Sequence, residues 1–376
     1  MSAFAQSTVT LTGNVDLGAQ RFNIKGKGFT NSGAANGSST SAFVFAGTED
    51  MGGGLTANFR YEIDPDLANT GGKTAGTPAV GTTSNVTSSL SNGYSFLGLK
   101  SNTLGEVQFG TLNYATLSAQ GDANSGFSTA IGSGYRVTSF DAVRGQNGAS
   151  YETPKFAGLS AKAILISKNA VQSGGAATGN AVNQVNGRDG AKEYSLAYAN
   201  GPLTARYADL TTTQDAGYNN NSATVVTAGP GGSFKLKTLS ATYAIGAGSI
   251  GYFNQTASSD VLKAGSTTAA ATSPQYDRKT NGISGKYAVT PVITLMANYQ
   301  KVKIGTEAAV ATVATVNGAT TTVTGLGVDY MLSKRTVAYF RTERDNDNAI
   351  VRAVTGYGTN AAGKYTASAI GIRHTF

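Results

Sequence analysis

The chain has no cysteine and no tryptophan, and its 376 residues include one histidine and seven prolines. Without cysteine there is no disulfide framework, no thiolate nucleophile and no thiolate metal site. Zero cysteine also fits an export route through an oxidising compartment. The single histidine, His374, leaves His-based catalysis one candidate, close to the end of the chain. No G-x-S-x-G nucleophile elbow occurs, and no metal-ligand spacing of His, Asp and Glu stands out. Charged residues make up 13% of the chain, against roughly 25% in ordinary soluble domains. No run approaches the ~18 apolar residues of a membrane-spanning helix, and no helical period holds over a useful length.

In their place stand 49 glycines, 18 tyrosines, 15 phenylalanines and an abundance of Ser, Thr, Asn and Ala. Mean hydropathy is −0.14, a value typical of soluble proteins. A membrane β-barrel reconciles it with the scarcity of charge. Only alternate residues of each strand meet lipid, so the average stays low while the outer belt is apolar.

The last stretch, KYTASAIGIRHTF from Lys364 to Phe376, carries the pattern. Ile370, Ile372, His374 and Phe376 share one parity; Ala369, Gly371, Arg373 and Thr375 share the other. Alternation with period two marks a strand between two different surroundings. The strand needs a partner, and pairing with the first strand closes the sheet and removes both edges. Ser7–Phe22 supplies that partner, with Val9, Leu11, Val15 and Leu17 opposed to Thr10, Thr12, Asn14, Asp16 and Gly18. Leu55–Asp64 repeats the pattern: Leu55, Ala57, Phe59, Tyr61 and Ile63 against Thr56, Asn58, Arg60, Glu62 and Asp64.

Short connections (Glu49–Gly54, Asn102–Gly105, Pro154–Gly158, Asn200–Pro202, Gly246–Gly248, Thr290–Pro291 and Ser333–Arg335) alternate with long ones. The long ones are Gly26–Ser39, Pro65–Asn92, Asn113–Gln146, the segment to Gly190, Thr211–Gly232, the segment to Tyr276, Gly305–Ala319 and Asn346–Gly363. The result is about sixteen strands in an all-β, antiparallel transmembrane barrel, with short turns inside and long extracellular loops. Such a barrel is wide enough for an aqueous channel. The first residues, MSAFAQS, contain the A-x-A of a processed leader. Residues 1–6 are therefore read as a residual signal segment and 7–376 as one barrel domain.

The chemistry of a pore is electrostatic. Parity places Arg60, Lys162, Arg206, Lys286, Arg373 and Arg341 toward the lumen, together with Asp16, Glu62, Glu106, Glu193 and Asp329. Each base has two readings, a selectivity residue or a wall residue paired with a nearby acid. Net charge is +8, which favours anions in the passage, within a screening length of about 10 Å at 0.1 M salt. The basic residues are scattered rather than clustered, which argues against nucleic acid. Gly246–Gly251 fits G-x-G-x-x-G, but a strand follows it where a phosphate site needs a helix. Aromatic residues near strand ends (Phe22, Tyr94, Phe109, Tyr151, Phe156, Tyr198, Tyr243, Tyr287, Tyr330 and Phe376) read as interfacial girdles.

Six stretches in order carry a family resemblance: Thr8–Gly18, Gly47–Asn58, Leu97–Gly110, Arg144–Gly158, Leu332–Thr336 and Gly371–Phe376. With them the chain resembles the general trimeric porins of beta-proteobacterial outer membranes. The terminal Phe is similar to the signal read by outer-membrane assembly machinery. The resemblance implies a homotrimer of 16-stranded barrels in the outer membrane of a Gram-negative bacterium. It also implies that the third loop, 113–146, is folded into the lumen as a constriction. Arg136 and Arg144 then bracket the end of that loop and Asp122 and Asp141 are its acids, so Arg60, Arg136 and Arg144 are candidates for the narrowest point. Thr111 follows Gly110 where many relatives carry Arg, which removes one expected base.

The reading is a non-enzymatic pore for passive diffusion of small hydrophilic solutes, preferring anions. It has outer-membrane lipid and lipopolysaccharide around it and no cofactor or metal. The alternatives are a channel with a dedicated organic-acid site and a non-conducting adhesin. A barrel enzyme is the weakest option.

Overall fold

The computed structural model describes residues 8–24, 29–35, 37–65, 67, 93–135, 143–168, 189–214, 232–259, 276–307, 316–317, 320–346, 350–351, 361–362 and 364–376. The barrel strands are β1 (Thr8–Ile24), β2 (in two pieces, Phe29–Ala35 and Ala42–Gly52), β3 (Leu55–Ile63), β4 (Ser95–Ser101), β5 (Gly105–Asn113), β6 (Arg144–Glu152), β7 (Leu159–Lys168) and β8 (Asp189–Asn200). They continue with β9 (Leu203–Gln214), β10 (Gly232–Ile245), β11 (Gly248–Ser259), β12 (Tyr276–Ala288), β13 (Ile293–Ile304), β14 (Thr320–Met331), β15 (Thr336–Asp345) and β16 (Tyr365–Thr375). Both pieces of β2 pair with β1, at Gly18–Ile24 and at Thr8–Asn14. They occupy one place in the wall, so the seventeen segments of the sheet make sixteen positions. Two short ladders, Thr306–Glu307 with Val316–Asn317 and Ile350–Val351 with Ala361–Ala362, lie outside that sheet.

Each strand pairs antiparallel with its neighbours, and the wall closes where β16 meets β1, from Asn14↔Thr375 to Ile24↔Tyr365. The chain end takes part. Gly13 donates its N–H to the Phe376 carbonyl at 3.1 Å and accepts from the Phe376 N–H at 3.0 Å. The Phe376 ring lies 5.6 Å from the Phe43 ring. Closure leaves no free edge, as a sheet in lipid requires.

The two faces of the wall differ as alternation predicts. Leu11, Phe45, Phe59, Leu97, Phe109, Leu165, Leu196, Leu239, Ile250, Ile283, Leu295, Leu326, Phe340, Ile370 and Ile372 are all exposed on the outer face. An apolar belt this large is not a surface for water; it is the lipid face of a barrel. Tyr243, Tyr287 and Tyr330 are exposed beside the short connections, where a girdle belongs. Phe22 and Tyr94 depart from the girdle expectation. Phe22 is buried on the inner parity of β1, and Tyr94 turns inward to donate its hydroxyl to Gln108 Oε1 at 2.7 Å. Their rings fill the lumen wall. His374 lies on the outer parity, as expected, with Nδ1 2.9 Å from the Thr336 hydroxyl.

The interior is not uniformly polar. Ile164, Ile166, Ala191, Leu210, Phe234, Leu236 and Ala257 form a buried apolar cluster on the inner face, joined by Leu112 and Tyr114 from the end of β5. The inserted segment covers it. That segment also holds a helix, α1 (Ala115–Ala123), where the sequence offered no helical period.

Candidate functional site: a lumen narrowed by an inserted segment

The chain leaves the wall at the end of β5, where the register against β6 shifts between Gly110 and Leu112. Leu112 and Tyr114 sink into the inner apolar cluster, and α1 begins at once. Nine residues including Gly121 and Thr116 make a poor helix in isolation. Its first turn holds no acid and Tyr114 gives no side-chain cap. The cap comes from the wall three strands on. Glu193 on β8, fully buried, accepts the N–H of Ala115 at 2.5 Å and of Thr116 at 3.0 Å. A carboxylate there satisfies two orphan donors and faces the positive end of the helix dipole.

The rest of the segment crosses to the opposite wall. The Thr116 and Thr238 hydroxyls meet at 2.5 Å, and Ser284 donates to the Ala123 carbonyl. Asn298 donates to the Gly132 carbonyl at 2.9 Å, and Gln300 to the Ser133 carbonyl at 2.6 Å. Glu343 on β15 accepts the N–H groups of Gly132 and Gly134 at 2.8 and 2.9 Å. Two glycines of the wall permit this approach. A Cβ at Gly251 would strike the Ala123 carbonyl, and one at Gly325 the Gly132 backbone. Gly251 is thus the last glycine of the G-x-G-x-x-G stretch, and its use is close packing in a strand.

Arg341 locks the tip. Its guanidinium carbon lies 5.7 Å from the centre of the Phe127 ring and 5.6 Å from that of Tyr339. Nη1 donates to the Val328 and Phe340 carbonyls at 3.1 and 3.0 Å, and Nη2 to Asp329 Oδ1 at 2.6 Å. Arg341 and Phe127 are both fully buried.

The other charges predicted for the lumen lie on inner parities. Arg60 on β3 pairs with Glu62 two residues on and lies 5.7 Å from the Tyr94 ring centre. Glu106 on β5 accepts from the side-chain amides of Asn58 and Gln108, both at 2.8 Å. Arg144, at the start of β6, holds Asp64 at 3.1 Å. Arg206 on β9 reaches Asp122 of α1 at 2.5 Å, joining wall to helix. Arg373 on β16 donates to the Ser38 hydroxyl at 3.1 Å and lies 3.9 Å from Asp329. Asp16 is buried; it accepts from the Ser38 N–H at 3.0 Å, the Ser38 hydroxyl at 2.6 Å and the Tyr339 hydroxyl at 2.5 Å. Arg136 and Asp141 lie outside the described residues.

Asp64 sits just past β3, beside Glu62 and Arg144. Burial pushes its carboxyl up to about 6, with the Glu62 charge adding to the rise and Arg144 opposing it.

A closed 16-stranded barrel with a segment docked inside, a polar lumen and an apolar exterior is the geometry of an outer-membrane pore. A family model described as Gram-negative porin matches residues 1–349. The chain belongs to the Gram-negative porin family. No curated protein matches it. The porin's fold is also that of solved structures. It is similar to an anion-selective porin from Comamonas acidovorans, with 23% identity over 99% of this chain and 100% of that one and a TM-score of 0.70. It is similar as well to OmpT of Vibrio cholerae, at 16% identity over 100% and 99% of the two chains and a TM-score of 0.63. OmpF of Salmonella typhi, in complex with daunomycin, matches at 13% identity over 98% and 97%, with a TM-score of 0.61. At these identities the likeness is one of fold, and it agrees with placement in the outer membrane.

Sequence parity placed the described charges on the inner face but missed two features. One is the engagement of Glu193 and Glu343 by the inserted segment's backbone, contacts between residues far apart in the chain that local pattern does not contain. The other is Lys100 on β4. It is exposed on the inner face, opposite Glu106 in register, with no ion pair among the described residues. Its parity, shared with Gly98 and opposed to Leu97 and Leu99, would have identified it.

Proposed function

We propose that the chain is a passive diffusion pore for small hydrophilic solutes that prefers anions and works as a homotrimer without covalent chemistry. One observation carries the anion preference: among the described residues most acids on inner parities are engaged by ion pairs or buried donors, while two accessible lysines are not; Asp50, exposed at the end of β2, accepts the Gly52 N–H at 2.9 Å. Glu193 and Glu343 accept backbone N–H groups of the inserted segment, and Asp16 is buried among donors. Glu62, Asp122 and Asp329 each face an arginine, and Glu152 lies 4.0 Å from Lys162. Glu106 is held by two amides. Lys100 and Lys286 are exposed on inner parities and have no ion pair among the described residues. Lys286 stands beside Gly126 of the inserted segment.

A fixed positive charge in a narrow aqueous passage concentrates anions and repels cations. The likeness to an anion-selective porin supports the reading, and a V. cholerae OmpT structure in a trimer form supports the assembly. The test is single-channel recording in planar bilayers, with liposome swelling in neutral sugars of increasing size. Ohmic conductance with a smooth size cut-off is expected. Saturable block by one organic acid would replace the general pore with a dedicated channel, and absence of conductance would overturn both.

A further inference from the structure

β2 is broken where β1 runs on. Ala35 pairs with Gly18 and Ala42 with Asn14, so six residues, 36–41, stand opposite three, Val15, Asp16 and Leu17. An ordinary β-bulge adds one residue, as the wall does near Met51 and near Thr111. Here the surplus folds inward. Gly37 and Ser38 are buried against Asp16 on β1, Tyr339 on β15 and Ala369 on β16, all on inner parities. The stretch Asn36-Gly37-Ser38-Ser39-Thr40-Ser41 is small and polar, which suits a tight excursion of the backbone. A Cβ at Gly37 would lie 2.5 Å from the Ala369 Cβ and 3.0 Å from the Tyr339 ring.

The anchor is the fully buried Asp16 carboxylate. Oδ1 accepts the Gly37 N–H at 3.3 Å and the Tyr339 hydroxyl at 2.5 Å, and Oδ2 accepts the Ser38 N–H at 3.0 Å and the Ser38 hydroxyl at 2.6 Å. The Tyr339 hydroxyl in turn accepts the Gly37 N–H at 3.0 Å. Asn14 donates to the Thr40 carbonyl at 2.8 Å, and Arg373 to the Ser38 hydroxyl at 3.1 Å. A buried charge is costly unless donors surround it, and the donors here belong to the folded-in backbone. Closing the barrel needs none of this, because β1 and β16 are already paired from Asn14 to Ile24.

We infer that residues 37–41 are a second constriction element, anchored apart from the inserted segment, and that Asp16 and Tyr339 are the positioning residues that hold it in the lumen. The two inward elements meet on β15, where Arg341 lies between the Phe127 ring of the inserted segment and the Tyr339 ring. Together they cover inner faces from β13, at Asn298, round to β1, at Asp16. Ser39 and Thr40 carry no charge, so this element acts on solutes by size. It sets the cut-off for neutral solutes and leaves the choice between anion and cation to the charged side chains.

The role rests on the barrel being a pore, as proposed, and the test separates the two. The chain has no cysteine, so Thr40→Cys offers a bulky neutral methanethiosulfonate reagent one target, with labelling confirmed by intact mass. Thr40 is exposed. In planar bilayers, and in liposomes swelling in neutral sugars, labelling should reduce conductance and lower the size cut-off while leaving the zero-current potential unchanged. Deleting residues 37–39 leaves a regular ladder and should raise conductance and cut-off. Tyr339→Phe keeps the ring beside Arg341 and removes the hydroxyl. Loss of that buried hydrogen bonding should speed hydrogen exchange at the Gly37 and Ser38 amides roughly tenfold to hundredfold, with the Ala115 and Thr116 amides unchanged. Labelled Thr40→Cys that conducts and filters like the parent would overturn the proposal. So would parental exchange at Gly37 and Ser38 in Tyr339→Phe, whether or not the deletion folds. A parent that passes no current would instead remove the pore reading, and this role with it.

Discussion

Removing the Glu193 carboxylate is expected to loosen the constriction, because that carboxylate alone caps α1. Glu193→Ala leaves the N–H groups of Ala115 and Thr116 buried without their acceptor. A buried donor left unsatisfied costs about 1–3 kcal/mol. The lost charge at the helix N-terminus costs a further ~0.3–2 kcal/mol. For the two donors and the charge together the sum is roughly 2–8 kcal/mol, and every 1.4 kcal/mol is tenfold in population. Displaced conformations of the inserted segment should therefore rise by about one to six orders of magnitude. Glu193→Gln keeps one carbonyl oxygen for Thr116 but turns an amide N–H₂ toward the Ala115 N–H, so it should fall between parent and alanine. The readouts are single-channel conductance, open-channel noise and hydrogen exchange at the Ala115 and Thr116 amides. The alanine variant should show larger and noisier currents and faster exchange at those two amides. Parental conductance, quiet currents and protected amides in Glu193→Ala would refute the reasoning.

Three further outcomes are expected. Glu343→Ala should release the far end of the segment by removing the acceptor of Gly132 and Gly134, with increased current noise as the readout and unchanged noise as the contrary result. Gly325→Val forces a side chain against the Gly132 backbone and should cost about 1–3 kcal/mol of docking; a barrel that folds, shifts normally on heated gels and conducts like the parent would contradict that close approach. Asp64 titrates near 6 in the folded protein against its ordinary 3.8. The folded state therefore binds the extra proton between those values, and this group's contribution is most favourable below pH about 4 and declines as pH rises to about 6. Relative to Asp64→Asn, the parent should lose up to about 3 kcal/mol of stability across that window in urea unfolding. A pH-independent difference, or one of opposite sign, would count against it.

Strand parity made most of this architecture legible. The alternation of Leu55, Phe59 and Tyr61 with Thr56, Arg60 and Glu62 is dictated by lipid on one side and water on the other. The strands with mixed inner faces were harder. Ile164, Leu165 and Ile166 are consecutive apolar residues, because one side of β7 meets lipid while the other meets the inner apolar cluster. Parity cannot show what covers an inner face, and so Phe22 and Tyr94 looked like girdle residues. The helix was illegible for a related reason. Its residues neither segregate by face nor carry a cap, and the carboxylate that caps it stands 77 positions away from Thr116 in the chain. Among the charges, inward direction was readable but pairing was not. That Arg341 is buried over Phe127 while Lys100 and Lys286 stay exposed is decided by where the inserted segment docks. Net charge overstated the lumen in one respect: Lys192, Lys235, Lys237, Lys279, Lys301 and Lys303 face outward and add nothing to it.

The most direct test of the account is the zero-current potential of the purified protein in a planar bilayer under a KCl gradient. A unit charge about 6 Å from the solute path is worth ~0.7 kcal/mol in water before screening. Each free lumen lysine should then raise local anion concentration roughly twofold to threefold. The account predicts a potential of the sign set by chloride, and its reduction toward zero in K100Q/K286Q. A potential of the sign set by potassium, or one that the double variant leaves unchanged, would contradict it.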